Sequence, residues 1–290
     1  MRRPLIVGAG GALVLLAACA IFAPLLASRP YAEQDLANSF AGPGDGVGWL
    51  GTDALGRDVW ARLLIGLRIS LAVAVFSQIV VVVIGVPVGL LAGYLGGRAD
   101  RLLMRIVDSV MSFPVLLLAM VISANVRGNS ANGTGIWSDI VRQVDEWTNG
   151  LTPALVVISV LFWAPTARLV RSSVLRLRER DFVRAARSSG ATHLHVMRRH
   201  VLPHIWGPVI VSAAIVVPFA VLTEAALSFL KLGVEPPTPS LGLMIAEGAT
   251  SINSFPLQVL IPSAVLIAVT LLAQQLGNGL QQAFEEGPQR

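Results

Sequence analysis

The sequence has few charged residues for its length, and it holds only one cysteine. Charged residues make up 13% of the 290 positions and hydrophobic residues 54%, whereas soluble domains contain about 25% charged residues. This composition excludes an ordinary water-soluble domain and indicates a protein that lies in a lipid bilayer. Because Cys19 is the sole cysteine, no disulfide can form within the chain, and no metal centre can be built from several thiolates.

Lysine is almost absent as well, which limits the chemistry that the chain can perform alone. The phosphate-binding loop GxxxxGK[ST] requires a lysine after its glycines, but the sole lysine, Lys231, follows Ser-Phe-Leu. His200 and His204 have the i,i+4 spacing of a metal-binding pair, but no acid or cysteine accompanies them. No combination of Ser, His and Asp, or of two glutamates, is typical of a hydrolytic site. We therefore expect no catalytic residue, no bound cofactor and no metal site.

Six apolar runs are long enough to cross a bilayer as helices. A transmembrane helix needs about 20 predominantly apolar residues. The first run is longer than the core of a signal peptide and lacks a clear cleavage site, so we expect it to be retained. We predict one all-α, polytopic membrane domain over residues 1–290, with spans at 5–27, 69–97, 102–124, 151–170, 205–229 and 255–276.

Arginines are concentrated on one side of these predicted spans. The stretch 168–199 holds nine arginines against two acids, whereas the loops on the other side are neutral to acidic. Positive residues stay in the cytoplasm during membrane insertion. We therefore predict that both termini and the loop 171–204 are cytoplasmic, with loops 28–68, 125–150 and 230–254 outside. The basic composition reflects this topology, and we expect no binding of nucleic acid.

The predicted external loop before span two contains a pattern typical of a short surface helix. Residues 53–67 place apolar side chains at helical spacing, and Thr52 or Asp53 could cap the helix. We predict a separate helix on the membrane surface, anchored by Trp60 and neighbouring arginines. The preceding glycine-rich stretch, 41–48, is expected to be a flexible turn.

Span two carries Gly85, Gly89, Gly93 and Gly97 at four-residue intervals. Small residues at this period let another backbone approach one face of a helix closely, and Pro87 in the same stretch should kink it. The helix face that carries these glycines could pack against another helix of the chain. Alternatively, it could form a subunit interface or the wall of a pore.

Two acids lie within apolar spans, Asp108 in span three and Glu224 in span five. Ionisable groups at membrane depth are costly and mark candidate functional positions. Asp108 could pair with Arg101 or Arg105, or it could face the translocation pathway. Glu224 could be held by structural hydrogen bonds, or it could face the pathway or a partner subunit.

A polar, arginine-rich stretch separates spans four and five. We call residues 181–203 the coupling segment. It is expected to form two short helices hinged at Gly190, with Asp181 capping the first helix and Thr192 the second. A polar segment between apolar spans predicts docking to a cytosolic partner. The alternative is a basic helix face that contacts the lipid headgroups.

The coupling segment resembles the cytoplasmic signature loop of binding-protein-dependent ABC importer permeases. That pattern is Glu-Ala-Ala, three residues, Gly, nine residues, then Ile-x-Leu-Pro. Arg184 stands where the pattern has Glu, and His200 stands where it has Ile. The resemblance implies an ATPase-coupling loop made of Arg184, Ala185, Ala186, Arg187, Gly190, Ala191, Leu202 and Pro203.

Three further stretches, 49–71, 98–119 and 224–245, are similar to the dipeptide/oligopeptide/nickel permease family, and specifically to its second permease subunit. Lys231 and Leu241 stand where that family usually has Gly and Trp. The resemblance implies the type I ABC importer permease fold and a subunit of an importer for dipeptides or oligopeptides. Nickel chelates and haem remain open as cargo.

The resemblance also implies partners and a location. These are a homologous permease forming a heterodimer with this chain, two cytosolic ATPases that bind ATP and Mg, and an external peptide-binding lipoprotein, all at a bacterial inner membrane. An ATP-independent secondary transporter or channel is the alternative, although the sequence shows no convincing internal repeat. A non-transporting membrane scaffold would explain the coupling segment but not Glu224 and the glycine face.

Overall fold

The computed structural model describes residues 3–132, 135–148 and 151–285. Within these ranges the regular structure is helical, apart from an isolated bridge between Thr52 and Asp58, so the all-α prediction is confirmed there. The helices are α1 (Arg3–Ile21), α2 (Ala23–Leu26), α3 (Val59–Leu95), α4 (Gly97–Ser112), α5 (Val115–Asn132), α6 (Ile136–Trp147), α7 (Thr152–Arg178), α8 (Asp181–Ser188), α9 (His193–Val196), α10 (Leu202–Phe229), α11 (Leu241–Ala249) and α12 (Leu257–Glu285).

Four helices in the described ranges are long and apolar enough to cross a membrane. They are α3, α7, α12 and the continuous helix His193–Phe229, which includes α9 and α10. α3, α7 and α12 correspond to predicted spans two, four and six, and the helix His193–Phe229 corresponds to span five. The bent pair of α4 and α5 would make a fifth crossing, and α1 is a shorter apolar helix. The described residues therefore show four or five candidate crossings, and the predicted six are not confirmed.

The predicted third span, 102–124, is not one straight helix. α4 ends at Ser112 and α5 begins at Val115, and the chain bends by 93° between them. A residue that precedes a proline is pushed into an extended conformation. Phe113, before Pro114, has φ −78° and ψ 138°, which breaks the helix inside the apolar run.

The predicted separate surface helix before span two is wrong, because α3 runs unbroken from Val59 to Leu95. Asp58 is its N-cap, with the Oδ1 atom accepting a hydrogen bond from the Trp60 backbone at 2.9 Å. Gly56 has φ +71°, so the stretch before Asp58 is a turn rather than a first helical turn. The apolar pattern of 59–68 therefore simply continues into the span.

The glycine face of α3 packs against α7. An added Cβ at Gly89 would lie 2.4 Å from the carbonyl oxygen of Ala167, and one at Gly85 would lie 2.9 Å from that of Trp163. At Gly93 the nearest atom, at 2.8 Å, is a side-chain carbon of Val174. The interpretation as packing within the chain is confirmed. Their alternative role in a pathway wall or subunit interface stays a prediction, and the close contacts shown are those with α7.

The loop between α2 and α3 folds back onto α12. Phe40 stacks on Phe255 with 4.1 Å between ring centres, and the Gln258 side chain donates to the Thr52 carbonyl at 2.7 Å. The glycine-rich stretch 41–48 forms a turn in which the Asp45 carboxylate accepts from the Gly42 backbone at 2.7 Å. This loop therefore covers one end of the bundle.

The predicted loop 125–150 contains the amphipathic helix α6, which the sequence analysis missed. Ile136, Ile140 and Val144 lie exposed along one face, and Arg142 pairs with Asp139. α6 packs against α5 and α7.

Two of the four hydrophobic clusters in the described residues lie at opposite ends of the bundle. One joins α3, α7, α10, α11 and α12 at the end that carries the α2–α3 loop, and its buried members include Val59, Val73, Ile158, Val221 and Leu241. The other joins α3, α7 and α10 to the coupling segment at the opposite end. The coupling segment is therefore part of the folded core.

Candidate functional site

The first arm of the coupling segment is α8, and it ends at Gly190 as predicted. Gly190 has φ +81°, in the left-handed region that favours glycine. The Gly190 backbone donates to the Arg187 carbonyl at 2.9 Å, and the Ala191 backbone donates to the Ala186 carbonyl at 3.2 Å. These two bonds form the Schellman turn that closes helices at a left-handed residue. Asp181 is not the cap, because Arg180 holds that position without a side-chain bond.

The second arm begins at Thr192, whose Oγ1 accepts from the His195 backbone at 3.3 Å, so this predicted cap is confirmed. The second arm is not a separate short helix, however. It passes through a π-helical turn at Met197–Val201 directly into α10. Pro203 lacks the N–H of a regular helical bond, and the Leu202 backbone donates to the Met197 carbonyl in the wider turn. The second arm and α10 form one helix.

One face of the coupling segment is buried and the other is open. Val183, Val196, Met197 and Val201 are buried against α3, α7 and α10. On the other side Arg184, Ala185, Pro203 and the partly exposed Phe182 face outward, and Leu194 is 60% exposed. Ala186, Ala191 and Leu202 lie at the border, half-buried. The exposed side is open in the described structure, and docking of a cytosolic partner there stays a prediction.

Arg184 forms an ion pair within the chain. Its guanidinium lies 3.3 Å from Glu179, and that of Arg178 lies 3.2 Å from the same carboxylate. The hydrogen bonds from Arg184 and then Arg178 lower the pKa of Glu179 below its usual value. The exposed edge of α8 thus carries arginine where the resembling loops carry glutamate.

Tyr94, near the end of α3, contacts both arms of the coupling segment. Its side chain is buried, the Arg187 Nε donates to its hydroxyl at 3.2 Å, and the Arg187 guanidinium carbon lies 4.7 Å from the ring centre. The same hydroxyl lies 3.3 Å from the Nδ1 atom of His193. The sequence analysis missed Tyr94, although a buried tyrosine hydroxyl at the polar end of a span usually has a partner.

Asp108 pairs with Arg168 of α7, so the expected partners Arg101 and Arg105 are wrong. A second pair joins α4 to α7, since the two nitrogens of the Arg171 guanidinium bind both oxygens of Asp100. Both members of the Asp108 pair are exposed. Its role at a subunit interface or pathway stays a prediction.

Glu224 is fully enclosed within the chain, at 0% exposure. Its Oε2 accepts from the Ser70 hydroxyl at 2.6 Å and its Oε1 from the Ser228 hydroxyl at 2.7 Å. Of the two alternatives, the structure shows the hydrogen-bonded one. No carboxylate atom reaches a surface in this conformation, and a role for Glu224 at a passage or partner surface stays a prediction.

Arg57 and Arg62 are buried in an ionic cluster rather than placed at lipid headgroups. Both pair with Asp53, where the Arg57 Nε lies 2.7 Å from Oδ2, and both pair with Glu247 of α11. Burial would raise the pKa of Asp53, but the charges of Arg62 and Arg57 outweigh it and hold that pKa below the ordinary value. The predicted anchoring by these arginines is wrong, and Trp60 instead stacks on Trp49.

His200 and His204, around the start of α10, take packing positions. The Phe182 ring stacks on His204 with 4.9 Å between centres, and the His204 Nδ1 lies 2.8 Å from the His200 carbonyl oxygen. In the part of the chain that the structure describes, no three His, Cys, Asp or Glu side chains are grouped as a metal site requires.

Comparison with known sequences gives two family matches. The family described as "Binding-protein-dependent transport system inner membrane component" matches residues 85–287. The N-terminal transmembrane domain of oligopeptide transport permease C matches residues 1–43. The first match includes the coupling segment and all but the first part of the bundle.

Named relatives agree with these matches. The chain is 37% identical to the dipeptide transport system permease protein DppC of Alkalihalophilus pseudofirmus, over 92% of this chain and 80% of the relative. It is 35% identical to the glutathione transport system permease protein GsiD of Pectobacterium atrosepticum, over 98% and 88%. It is 33% identical to the oligopeptide transport system permease protein OppC of Mycobacterium bovis, over 98% and 91%.

A solved structure supports the fold. A chain of the MetNI methionine ABC transporter in an inward-facing conformation matches with a TM-score of 0.60 and 22% identity, covering 78% of this chain and 96% of that one. At this identity the match concerns the fold alone, and it assigns the bundle to the type I importer permease architecture.

Proposed function

The chain belongs to the family of binding-protein-dependent transport system inner membrane components, and on this premise we propose that it is one of two permease subunits of an ATP-driven peptide importer. The chain forms half of the passage, and a homologous permease forms the other half as its partner in a heterodimer. Two ATPase subunits, which hold ATP and Mg, bind on the cytosolic side. A peptide-binding lipoprotein delivers cargo from outside.

The observation that carries this proposal is the construction of the coupling segment. One face is fixed in the core by Val183, Val196 and Val201, while the opposite face is open. The second arm continues without interruption into the membrane-spanning α10. A partner that pulls on the open face would therefore act on α10 directly, because the helix is continuous between them. This is how ATPase closure would switch the passage between its inward-facing and outward-facing states.

The orientation follows from the arginine distribution. The coupling segment and both termini lie in the cytoplasm of a bacterial cell, because the stretch 168–199 holds most of the excess positive charge. The multi-pass chain resides in the inner membrane. Reporter fusions test this assignment: a fusion at residue 140 should report outside and one at residue 190 inside. An outside signal at residue 190 would overturn the orientation.

The cargo is a short peptide. The relatives are named for dipeptide, glutathione and oligopeptide transport, and these cargoes share a peptide backbone with charged ends. Competition of unlabelled dipeptides, longer peptides, glutathione, a nickel chelate and haem against a labelled peptide in reconstituted vesicles measures the preference. Displacement by the chelate or haem alone would contradict a peptide importer.

The function itself is tested by uptake in proteoliposomes that contain this chain, its partner permease, both ATPases and the binding protein. Labelled peptide should accumulate with ATP and Mg, and accumulation should stop when the ATPase lysine that binds phosphate is replaced. Uptake that continues without ATP would favour the secondary transporter or channel instead. Failure of the ATPases to co-purify with the chain would also contradict the proposal.

A further inference from the structure

Tyr94 is placed where three elements of the coupling machinery meet. It is the next-to-last residue of α3, and its ring is 3% exposed. Val174 of α7, Val183 of α8 and Val196 of α9 belong to the same hydrophobic cluster. The ring therefore contributes to the core, and its hydroxyl needs a hydrogen-bond partner there.

The hydroxyl has two such partners, one on each arm. It accepts from the Nε of Arg187 at 3.2 Å, and it shares a second hydrogen bond with the Nδ1 of His193 at 3.3 Å. The Arg187 guanidinium carbon also lies over the Tyr94 ring, 4.7 Å from its centre. The Tyr94 and His193 ring centres are 5.7 Å apart, with the two rings in an edge-to-face arrangement. A cation over an aromatic face adds attraction beyond the hydrogen bond.

The two partners flank the turn between the arms symmetrically. Arg187 comes three residues before Gly190, and His193 comes three residues after it. Gly190 itself packs against nothing, since an added Cβ would find no atom within 4 Å. The turn is held by its own backbone hydrogen bonds, and Tyr94 adds side-chain contacts that join the two arms to each other and to α3.

We propose that Tyr94 is the positioning residue that fixes the angle between the two arms and transmits movement of the coupling segment to α3. This inference rests on the proposed function, because it deepens the way in which the ATPases drive the permease. The second arm already moves with α10. Without the Tyr94 hydroxyl, Val183 would still hold α8 in the core, but the hydrogen-bonded link from Arg187 to α3 would be lost. Movement of α8 would then reach α3 less completely, and ATP would be hydrolysed with less transport.

The contact makes a specific prediction for Tyr94→Phe, which keeps the ring and removes only the oxygen. In the complete reconstituted complex, peptide taken up per ATP hydrolysed should fall roughly 3-fold to 10-fold, the effect of one or two hydrogen bonds. The amount of ATPase that co-purifies should not change. Tyr31→Phe is the matched control, because Tyr31 is the other tyrosine of the chain and lies in the α2–α3 loop.

A second measurement does not depend on transport. Hydrogen exchange of the backbone amides between Arg187 and His193 should be faster in the Tyr94→Phe complex than in the wild type and in Tyr31→Phe, because exchange reports local opening. The double variant Tyr94→Phe, Arg187→Gln should lose no more than the worse single variant, since residues acting as one unit are not additive.

The outcomes separate the inference from the function on which it rests. Absence of ATP-driven uptake in the wild-type complex would contradict the proposed function. The hydrogen-exchange measurement would still decide whether Tyr94 holds the two arms together. Unchanged exchange, or an unchanged ratio of uptake to hydrolysis, overturns the role of Tyr94. Loss of ATPase binding in Tyr94→Phe overturns it too, because Tyr94 would then support the docking surface and not the transmission.

Discussion

At the residue scale, α8 and α10 end in the same hydrogen-bonded turn but place different residues in its left-handed position. Gly190 occupies it after α8. After α10 the Lys231 backbone donates to the Ser228 carbonyl at 3.0 Å and the Leu232 backbone to the Leu227 carbonyl at 2.7 Å. Lys231 has φ +59°, which is unfavourable for a residue with a Cβ. Glycine, usual at this place in the resembling family, fits the geometry without that cost.

Lys231→Gly should therefore stabilise the protein by about 1 kcal/mol. Thermal unfolding of the purified chain in detergent measures the effect. Lys231→Ala is the matched control, because it removes the same long side chain but keeps the Cβ in the left-handed position. An equal gain from both variants would show that the lysine side chain, and not the backbone, carries the strain.

The buried carboxyl of Glu224 gives a second prediction at this scale. Glu224→Gln should leave unfolding and transport nearly unchanged, because the amide can still bond to Ser70 and Ser228. Glu224→Ala should destabilise by about 1–3 kcal/mol, because it leaves buried hydroxyls unsatisfied beside a cavity. A change of cargo preference in Glu224→Gln with normal stability would contradict a purely structural role and would indicate that Glu224 faces the passage.

At the element scale, sequence patterns predicted which segments are helical better than where the helices join. The apolar runs of α3, α7, α10 and α12 are long enough to be identified by composition alone. Two junctions were mispredicted. Thr52 and Asp53 looked like caps, but the positive φ of Gly56 makes that stretch a turn and moves the cap to Asp58. Pro114 interrupts the apolar run of predicted span three, and a hydropathy pattern does not reveal the bend between α4 and α5.

The turn between α8 and α9 makes a prediction about backbone conformation. Gly190→Ala should cost about 1 kcal/mol and reduce uptake, whereas Gly190→Asn should be better tolerated, because asparagine enters the left-handed region more readily. Membrane insertion should be normal for both, and uptake by the reconstituted complex is the readout. Since no atom of the chain lies near the glycine Cβ position, a further loss in Gly190→Trp would report a clash with the ATPase. Full transport by the Trp variant would argue that the turn does not dock.

At the scale of the whole molecule, long-range pairs determine what each candidate residue does, and a single sequence does not reveal them. The glycine repeat of α3 indicated a close approach, but only the fold shows that α7 is the element that approaches. The ionic cluster joins Asp53 and Arg62 to Glu247, from opposite halves of the chain. In the coupling segment the turn at Gly190 and the cap at Thr192 were predicted because both are local, whereas the Asp181 cap and the separate second helix were wrong.

The ionic cluster makes stability depend on pH. Asp53 has a folded-state pKa below its ordinary value of 3.8, because Arg62 and Arg57 outweigh the effect of burial. Its contribution is therefore fully present above pH 3.8 and is lost as the pH falls through the lower folded-state pKa. Thermal unfolding at about pH 3 and pH 6 should differ less for Asp53→Asn than for the wild type. Asp45→Asn, in the glycine-rich turn, is the control, and an equal flattening there would contradict the assignment.

The unbroken helix from His193 to Phe229 acts as a lever. Its 37 residues span about 55 Å, at roughly 1.5 Å per residue. A tilt of about 10° at the coupling end would displace the far end by roughly 10 Å if the helix stays rigid. Such a displacement is comparable to the width of a peptide chain. A small rotation imposed by an ATPase is therefore enough, in length alone, to open or close a passage for cargo of this size.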